Sequence, residues 1–184
     1  MLRLFIAVDL PAQLQQEVAA LCTAVRGARW VKPHQLHITL RFMGRTPEGE
    51  LPEIFRRLAL VGAPAFHLTL QGIGVFPAAE RKPRVLWLGL SPTLPLLMLE
   101  REIDRAFAGD TPDNNQEFSP HLTLARLGGR PDESLTQFLA RHADYRGAEF
   151  EVSCFSIYKS TLHARGAAHE LLSTYPLAGI YRGH

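Results

Sequence analysis

Residues 37–51, HITLRFMGRTPEGEL, return as residues 121–135, HLTLARLGGRPDESL, at an offset of 84 with no insertion or deletion between the copies. His37 and His121, Thr39 and Thr123, Leu40 and Leu124, Gly44 and Gly128, Pro47 and Pro131, and Leu51 and Leu135 coincide. In the first copy Ile38, Leu40 and Phe42 alternate with His37, Thr39 and Arg41, which is the period of a strand with one core face and one polar face. Gly44 ends the strand. After Pro47, apolar residues recur at Leu51, Ile54, Phe55, Leu58 and Leu60 with helical spacing. A strand-and-helix unit used twice predicts two like lobes.

The flanking segments fit that plan. RLFIAVDL, residues 3–10, reads as a strand closed by Asp9 and Pro11, leading into a helical stripe of Leu14, Val18, Leu21, Cys22 and Val25 that Gly27 stops. RWVKPH is a connector, residues 65–76 a third strand, and PAAERKP, 77–83, an exposed crossover. RVLWLGL then predicts a strand, SPTLPLLMLEREIDRAF a helix, and GDTPDNNQE, 109–117, a polar loop. Pro131 and Asp132 open a helix through Phe138 and Leu139, and two final strands are expected near 148–158 and 168–175. At the same offset Phe66 matches Phe150 and Leu68 matches Val152, a faint extension of the repeat. The expectation is an α+β fold in one bilobal domain, 1–184. Its lobes, related by a pseudo-twofold, are mainly antiparallel sheet with outer helices, and the pseudo-repeats run about 1–76 and 84–176. The polar faces of the two histidine strands then meet in the cleft.

Composition removes several function classes. At 184 residues the chain builds one sizeable core, and 46% apolar content with interspersed charge excludes disorder. No apolar run approaches the roughly 20 residues of a membrane helix, and MLRLFIAVDLPAQ lacks the features of a signal peptide, so the cytoplasm is the expected location. Cys22 and Cys154 are the only cysteines and read as reduced packing residues. A net charge of +2 does not by itself argue nucleic-acid binding, although lysines are few and arginines many, and arginine forks match phosphate geometry.

Two facing histidines, each two residues from a threonine on the same strand face, supply two groups that titrate near neutral pH and two hydroxyl donors. Phosphodiester hydrolysis needs that set: a base for the attacking water, an acid for the leaving alkoxide and donors for the non-bridging oxygens. An isolated H-x-T is weak, because eight histidines make about half a chance occurrence. A third copy, His67-Leu68-Thr69, in fact occurs. The signal lies in the frame that His37 and His121 share and His67 does not. Threonine is a poor zinc ligand, so no metal site is expected at the pair.

HITL with HLTL, the opening RLFIAVDLP, the run GVFPAAERKPRVLWLGL and the context FSPHLTLAR resemble the bacterial and archaeal RNA 2′,3′-cyclic phosphodiesterases, the 2′-5′ RNA ligase family of the two-histidine phosphoesterase superfamily. The resemblance runs from about residue 3 to 176. It implies the two-histidine phosphoesterase fold, no cofactor, RNA with a 2′,3′-cyclic phosphate terminus as partner, and hydrolysis to a 2′-phosphomonoester with reversible 2′-5′ ligation. It makes His37 the proton donor and His121 the proton acceptor, with Thr39 and Thr123 on the phosphate oxygens. A monomer is expected. Arg126 matches a family arginine that fits phosphate clamping, yet strict alternation from His121 turns it away from the cleft unless a bulge intervenes. Arg41 has cleft parity in the first copy. SIYKSTLHARG resembles a stretch that approaches the cleft, which makes Tyr158 and Ser160 substrate contacts, and Phe76 is a candidate for stacking on a base. Rival readings are a phosphodiesterase for 2′,5′-linked oligonucleotides or small cyclic nucleotides, and a non-catalytic RNA-end-binding module.

Overall fold

The computed structural model of the chain describes residues 1–78, 82–108, 118–128, 132–163 and 166–178. The loop expected at 109–117, part of the crossover at 77–83 and Pro131 lie outside the described residues. In chain order the elements are β1 (Leu2–Asp9), α1 (Ala12–Leu21), β2 (Ala28–Trp30), β3 (His37–Thr46), α2 (Leu51–Leu58), β4 (Phe66–Phe76) and β5 (Val85–Ser91). There follow α3 (Leu94–Ala106), β6 (Leu122–Leu127), α4 (Glu133–Arg141), β7 (Arg146–Val152), β8 (Cys154–His163) and β9 (Gly166–Pro176).

All strands join one antiparallel sheet ordered β7-β4-β5-β6-β3-β1-β8-β9, with β2 on the β3 side of β6. The order reads symmetrically about the β6–β3 contact. Each half has a histidine strand, then the first strand of the same copy, β1 or β5, then a strand from the other copy. β4 crosses to pair with β5, and β8 crosses back to pair with β1. The strands of the two copies therefore interlock: β4 of the first copy stands in one half of the sheet, and β8 and β9 of the second copy stand in the other.

The sheet curls, and one residue shows it. Ser153 alone separates β7 from β8, although the two stand six positions apart in the sheet. At about 4.8 Å per strand a flat sheet would separate them by roughly 29 Å. Two residue steps span at most about 7 Å. The single strand expected at 148–158 is thus two strands in different lobes.

One face of the sheet is covered by helices. Leu14 and Val18 of α1, Ile54 and Leu58 of α2, Leu96, Leu99 and Ile103 of α3, and Leu135 and Phe138 of α4 share one core with Ile6, Ile38, Leu122 and Leu124. Each fully buried side chain of this kind contributes about 1.5–3 kcal/mol. α1 stops at Leu21, short of the expected Val25, while Gly27 turns the chain into β2 with φ +73°. A Cβ on Gly27 would stand 2.8 Å from the Gly128 carbonyl oxygen. Asp132 caps α4, accepting a bond from the Ser134 amide at 3.0 Å.

Both histidine strands carry a bulge at the same place in the repeat. In β6, Leu86 pairs with Ala125 and Trp87 with Thr123, which leaves Leu124 extra. In β3, Ile6 pairs with Arg41 and Ala7 with Thr39, which leaves Leu40 extra. A bulge reverses side-chain parity beyond it. Leu124 and Ala125 are consequently both buried, and Arg126 returns to the face of Thr123. In the first copy the expected alternation fails for the same reason. Phe42, expected in the core, is 55% exposed on the cleft face, paired with Phe5. Arg41, expected in the cleft, instead turns toward α3, bonded to the Asp104 carboxylate with its guanidinium 5.6 Å from the Phe107 ring.

Candidate active site

β3 and β6 share a single ladder rung, Ile38 with Leu122, both fully buried. In an antiparallel ladder the neighbours of that rung face each other in reverse order. His37 therefore stands across from Thr123, and Thr39 across from His121. The two histidines occupy the diagonal, which in a regular ladder is about 7–8 Å. Four groups that sequence separates by 84 residues thus surround one point on the helix-free face.

The imidazoles are held alike. His37 Nδ1 donates to the Gln35 carbonyl at 2.7 Å, and His121 Nδ1 donates to the Ser119 carbonyl at 2.7 Å. A carbonyl only accepts, so Nδ1 carries the hydrogen in both rings and each Nε2 is free to take or give a proton. Aromatic rings pack against the flanks. Phe5, 3% exposed, lies 4.9 Å from His37, and Phe76 lies 5.1 Å edge-on to His121 and 5.0 Å from Trp87. Gly74 makes room for this stack, since a Cβ there would stand 2.3 Å from the Trp87 ring.

The lobes match across the site beyond the sequence repeat. Phe5 pairs with Phe42 and Tyr158 in one lobe as Val85 pairs with Arg126 and Phe76 in the other. Arg126 and Phe42 are thus counterparts at opposite ends of the cleft, and Tyr158 is the counterpart of Phe76.

The His37 side has a polar wall. Phe5, Asp9, His34, Gln35, His37, Tyr158 and His169 line one pocket. Tyr158 Oη donates to Asp9 Oδ1 at 2.7 Å, and Ser156 Oγ donates to Asp9 Oδ2 at 3.3 Å. Burial and the Asp9 carboxylate hold the Tyr158 phenol far above its usual range. Burial pushes the His37 imidazole below its ordinary value near 6.5, and the rings of His169 and His121 add to the depression. The Gln35 carbonyl and Asp9 act in the opposite sense. Ser160 pairs with His169 on the same face, farther along β8, while Arg126 lies three residues past Thr123. His67 is exposed on β4 and pairs with Glu151 of β7, on the far side of β5 from His121. In the sheet order the counterpart of β4 about the β6–β3 contact is β8 and that of β7 is β9, so the match of Phe66 with Phe150 does not extend the repeat. Among the described residues no three His, Cys, Asp or Glu side chains converge as a metal site.

Sequence reasoning missed Asp9, His169 and Phe42. Asp9 reads as a strand end, yet it pairs with His37 across β1 and β3. His169 sits in a stretch with no motif, and its ring lies 5.2 Å from His37. Phe42 was concealed by the bulge.

An antiparallel sheet curled around two histidine strands is the architecture of the two-histidine phosphoesterases. Comparison with known proteins narrows this. The family described as LigT like Phosphoesterase matches twice, over residues 8–87 and 91–168, and the chain belongs to it. The chain is 30% identical over 177 residues to an RNA 2′,3′-cyclic phosphodiesterase of Thermotoga maritima, covering 93% of each. It is 35% identical over 191 residues to the enzyme of that name from Thermus thermophilus, covering 97% of this chain and 91% of the relative. A crystal structure of a Thermus thermophilus protein superimposes with a TM-score of 0.78 at 31% identity, covering 95% of this chain and 97% of that one.

Proposed function

We propose that this protein hydrolyses the 2′,3′-cyclic phosphate at RNA ends to a 2′-phosphomonoester by paired-histidine acid–base catalysis, without a metal or cofactor. The observation that carries the reading is the diagonal pair of histidines across the Ile38–Leu122 rung, each with Nδ1 anchored to a carbonyl and Nε2 free. The relatives named RNA 2′,3′-cyclic phosphodiesterase support the substrate. Water attacks phosphorus and gives its proton to His121 Nε2. The bond from phosphorus to O3′ breaks on the opposite side, and O3′ takes a proton from His37. Thr39 and Thr123 donate to the non-bridging oxygens, where donors aimed at developing charge are most effective, and Arg126 contacts phosphate from the end of the cleft. A 5′-hydroxyl in place of water would leave a 2′-5′ linkage, which is the ligase direction. We read Phe76 as an ordering contact for His121 as well as a surface for a base. Tyr158 acts on the site through Asp9, and Ser160 is a contact at the rim. The cleft is assembled within one bilobal chain, which supports a monomer. No helix among the described residues is long and apolar enough to cross a membrane, and an RNA substrate fits the cytoplasm.

The acid role of His37 has a pH signature. In the free protein burial favours the neutral ring, so the proton leaves at lower pH than from an ordinary imidazole. A bound phosphodiester anion favours the imidazolium and raises that value. The alkaline limb of kcat/KM, which reports the free protein, is therefore expected at lower pH than the alkaline limb of kcat, which reports the complex. The reverse order of the two limbs would contradict His37 as donor.

The rival substrates are separated by turnover in chelator. An oligonucleotide ending in a cyclic phosphate is expected to be hydrolysed at least about 100-fold faster than a 2′,5′-linked dinucleotide, a gap of about 2.7 kcal/mol. Comparable rates would move the assignment to the 2′,5′-phosphodiesterases, and activity lost to chelator and restored by zinc would overturn the metal-free mechanism.

A further inference from the structure

We propose that Arg29 and Arg126 form a subsite for the internucleotide phosphate next to the cyclic end, so that the site takes RNA chains in preference to mononucleotides. This deepens the functional reading above and rests on it. Arg29 of β2 is the direct ladder partner of Arg126 of β6, between the pairs Ala28–Leu127 and Trp30–Ala125. Two observations set the face. Trp30 and Ala125 turn toward the helices, Trp30 lying 5.7 Å from the Phe138 ring and Ala125 fully buried, so Arg29 and Arg126 turn the other way. Independently, β5 pairs Val85 with Arg126 and Trp87 with Thr123, which puts Arg126 on the cleft face with Thr123.

Like charges directly opposite each other in a ladder destabilise it. Five other arginines are paired with carboxylates: Arg26 with Asp132, Arg41 with Asp104, Arg56 and Arg57 with Glu53, and Arg105 with Glu102. Arg29 and Arg126 are both exposed, and among the described residues neither has a carboxylate within ion-pair distance. An anion between them removes the repulsion, and two guanidinium forks suit phosphate. Position names which phosphate. His37 stands across from Thr123, and the arginine pair lies beyond Thr123 along β6, at the end of the cleft where the leaving O3′ and its ribose reside. With the threonines on the cyclic phosphate, the next anion met at that end is the 5′ phosphate of the terminal nucleotide. A nucleoside 2′,3′-cyclic monophosphate has no such phosphate; an RNA chain always does.

The test compares wild type, Arg29→Gln and Arg29→Lys on a nucleoside 2′,3′-cyclic monophosphate and on a pentanucleotide ending in a 2′,3′-cyclic phosphate, each over a range of salt. Arg29→Gln is expected to lower the ratio of kcat/KM for pentanucleotide over mononucleotide about 5- to 10-fold. It should also flatten the slope of log kcat/KM against log salt for the pentanucleotide by about 0.7, the share of one single-strand phosphate. Arg29→Lys, a point charge without the fork, should keep the salt slope and lose part of the ratio. The melting temperature of Arg29→Gln should not fall, because the change removes a like-charge pair. An unchanged ratio and slope would overturn the subsite, as would an equal loss on both substrates with a lower melting temperature. If wild type hydrolyses neither substrate, the functional reading itself fails.

Discussion

Replacing His37 or His121 with alanine is expected to lower kcat by about 10²- to 10⁴-fold while KM changes only a few-fold. In the proposed mechanism each ring is a positioned proton-transfer group, and such groups typically contribute about that much. Neither ring lies in the core: both are only part-buried on the helix-free face, so the fold should persist and the loss should fall on chemistry. The two roles belong to one concerted displacement, so the double variant should be scarcely slower than the worse single one. His67→Ala provides the contrast. His67 has the same H-x-T context but is exposed against Glu151 on β4, and turnover should stay within about 2-fold of wild type. An RNA-end-binding module would give the opposite pattern, with weaker binding in the His37 and His121 variants and no turnover to lose. Steady-state kinetics with a parallel binding assay decides between these outcomes.

Ile38→Ala should damage stability and catalysis together. Ile38 forms the rung between β3 and β6 and is fully buried, so truncation costs about 2–5 kcal/mol through lost burial and the cavity left behind. That is a large share of the roughly 5–15 kcal/mol by which a domain of this kind is stable. The same rung sets the spacing of His37 from His121, and a misplacement of about 1 Å in a reacting constellation can cost on the order of 100-fold. Denaturant melts should show a lower midpoint with an unchanged slope, and kcat measured where the variant is folded should still fall by more than about 10-fold. Leu68→Ala in β4 is the control. It too is fully buried, but it lies away from the rung, so it should cost comparable stability with kcat nearly retained. Equal kcat in the two folded variants would refute the claim that the rung positions the histidines.

Much of this arrangement was legible from the repeat, and the parts that were not have physical reasons. Alternation around His37 and His121 and the helical stripes of Leu51, Ile54 and Leu58 are local patterns, and they emerge as β3, the approach to β6, and α2. A bulge is defined by pairing with a second strand, so Arg41 and Phe42 exchanged the faces that strict alternation assigns them. Its one trace in the sequence is the apolar doublet Leu124–Ala125, where alternation breaks in the second copy. β2 has only three residues and exists as a strand because β6 lies beside it. The strand exchange between the lobes turns on Ser153, which carries no turn signal. The Gln35 and Ser119 carbonyls that orient the His37 and His121 rings are backbone atoms, invisible to any residue pattern. Asp9 and His169 reach His37 from β1 and β9, at sequence separations no local reading spans.

The central claim is that His37 delivers a proton to O3′ while His121 activates water on the opposite side of phosphorus. Its most direct test is to incubate the protein, in chelator, with an RNA ending in a 2′,3′-cyclic phosphate and to identify by mass spectrometry and phosphorus NMR which oxygen retains the phosphate. The expected product is a 2′-phosphomonoester with a free 3′-hydroxyl, its formation abolished in His37→Ala and His121→Ala. A 3′-phosphate product would mean that O2′ leaves instead, which contradicts the account.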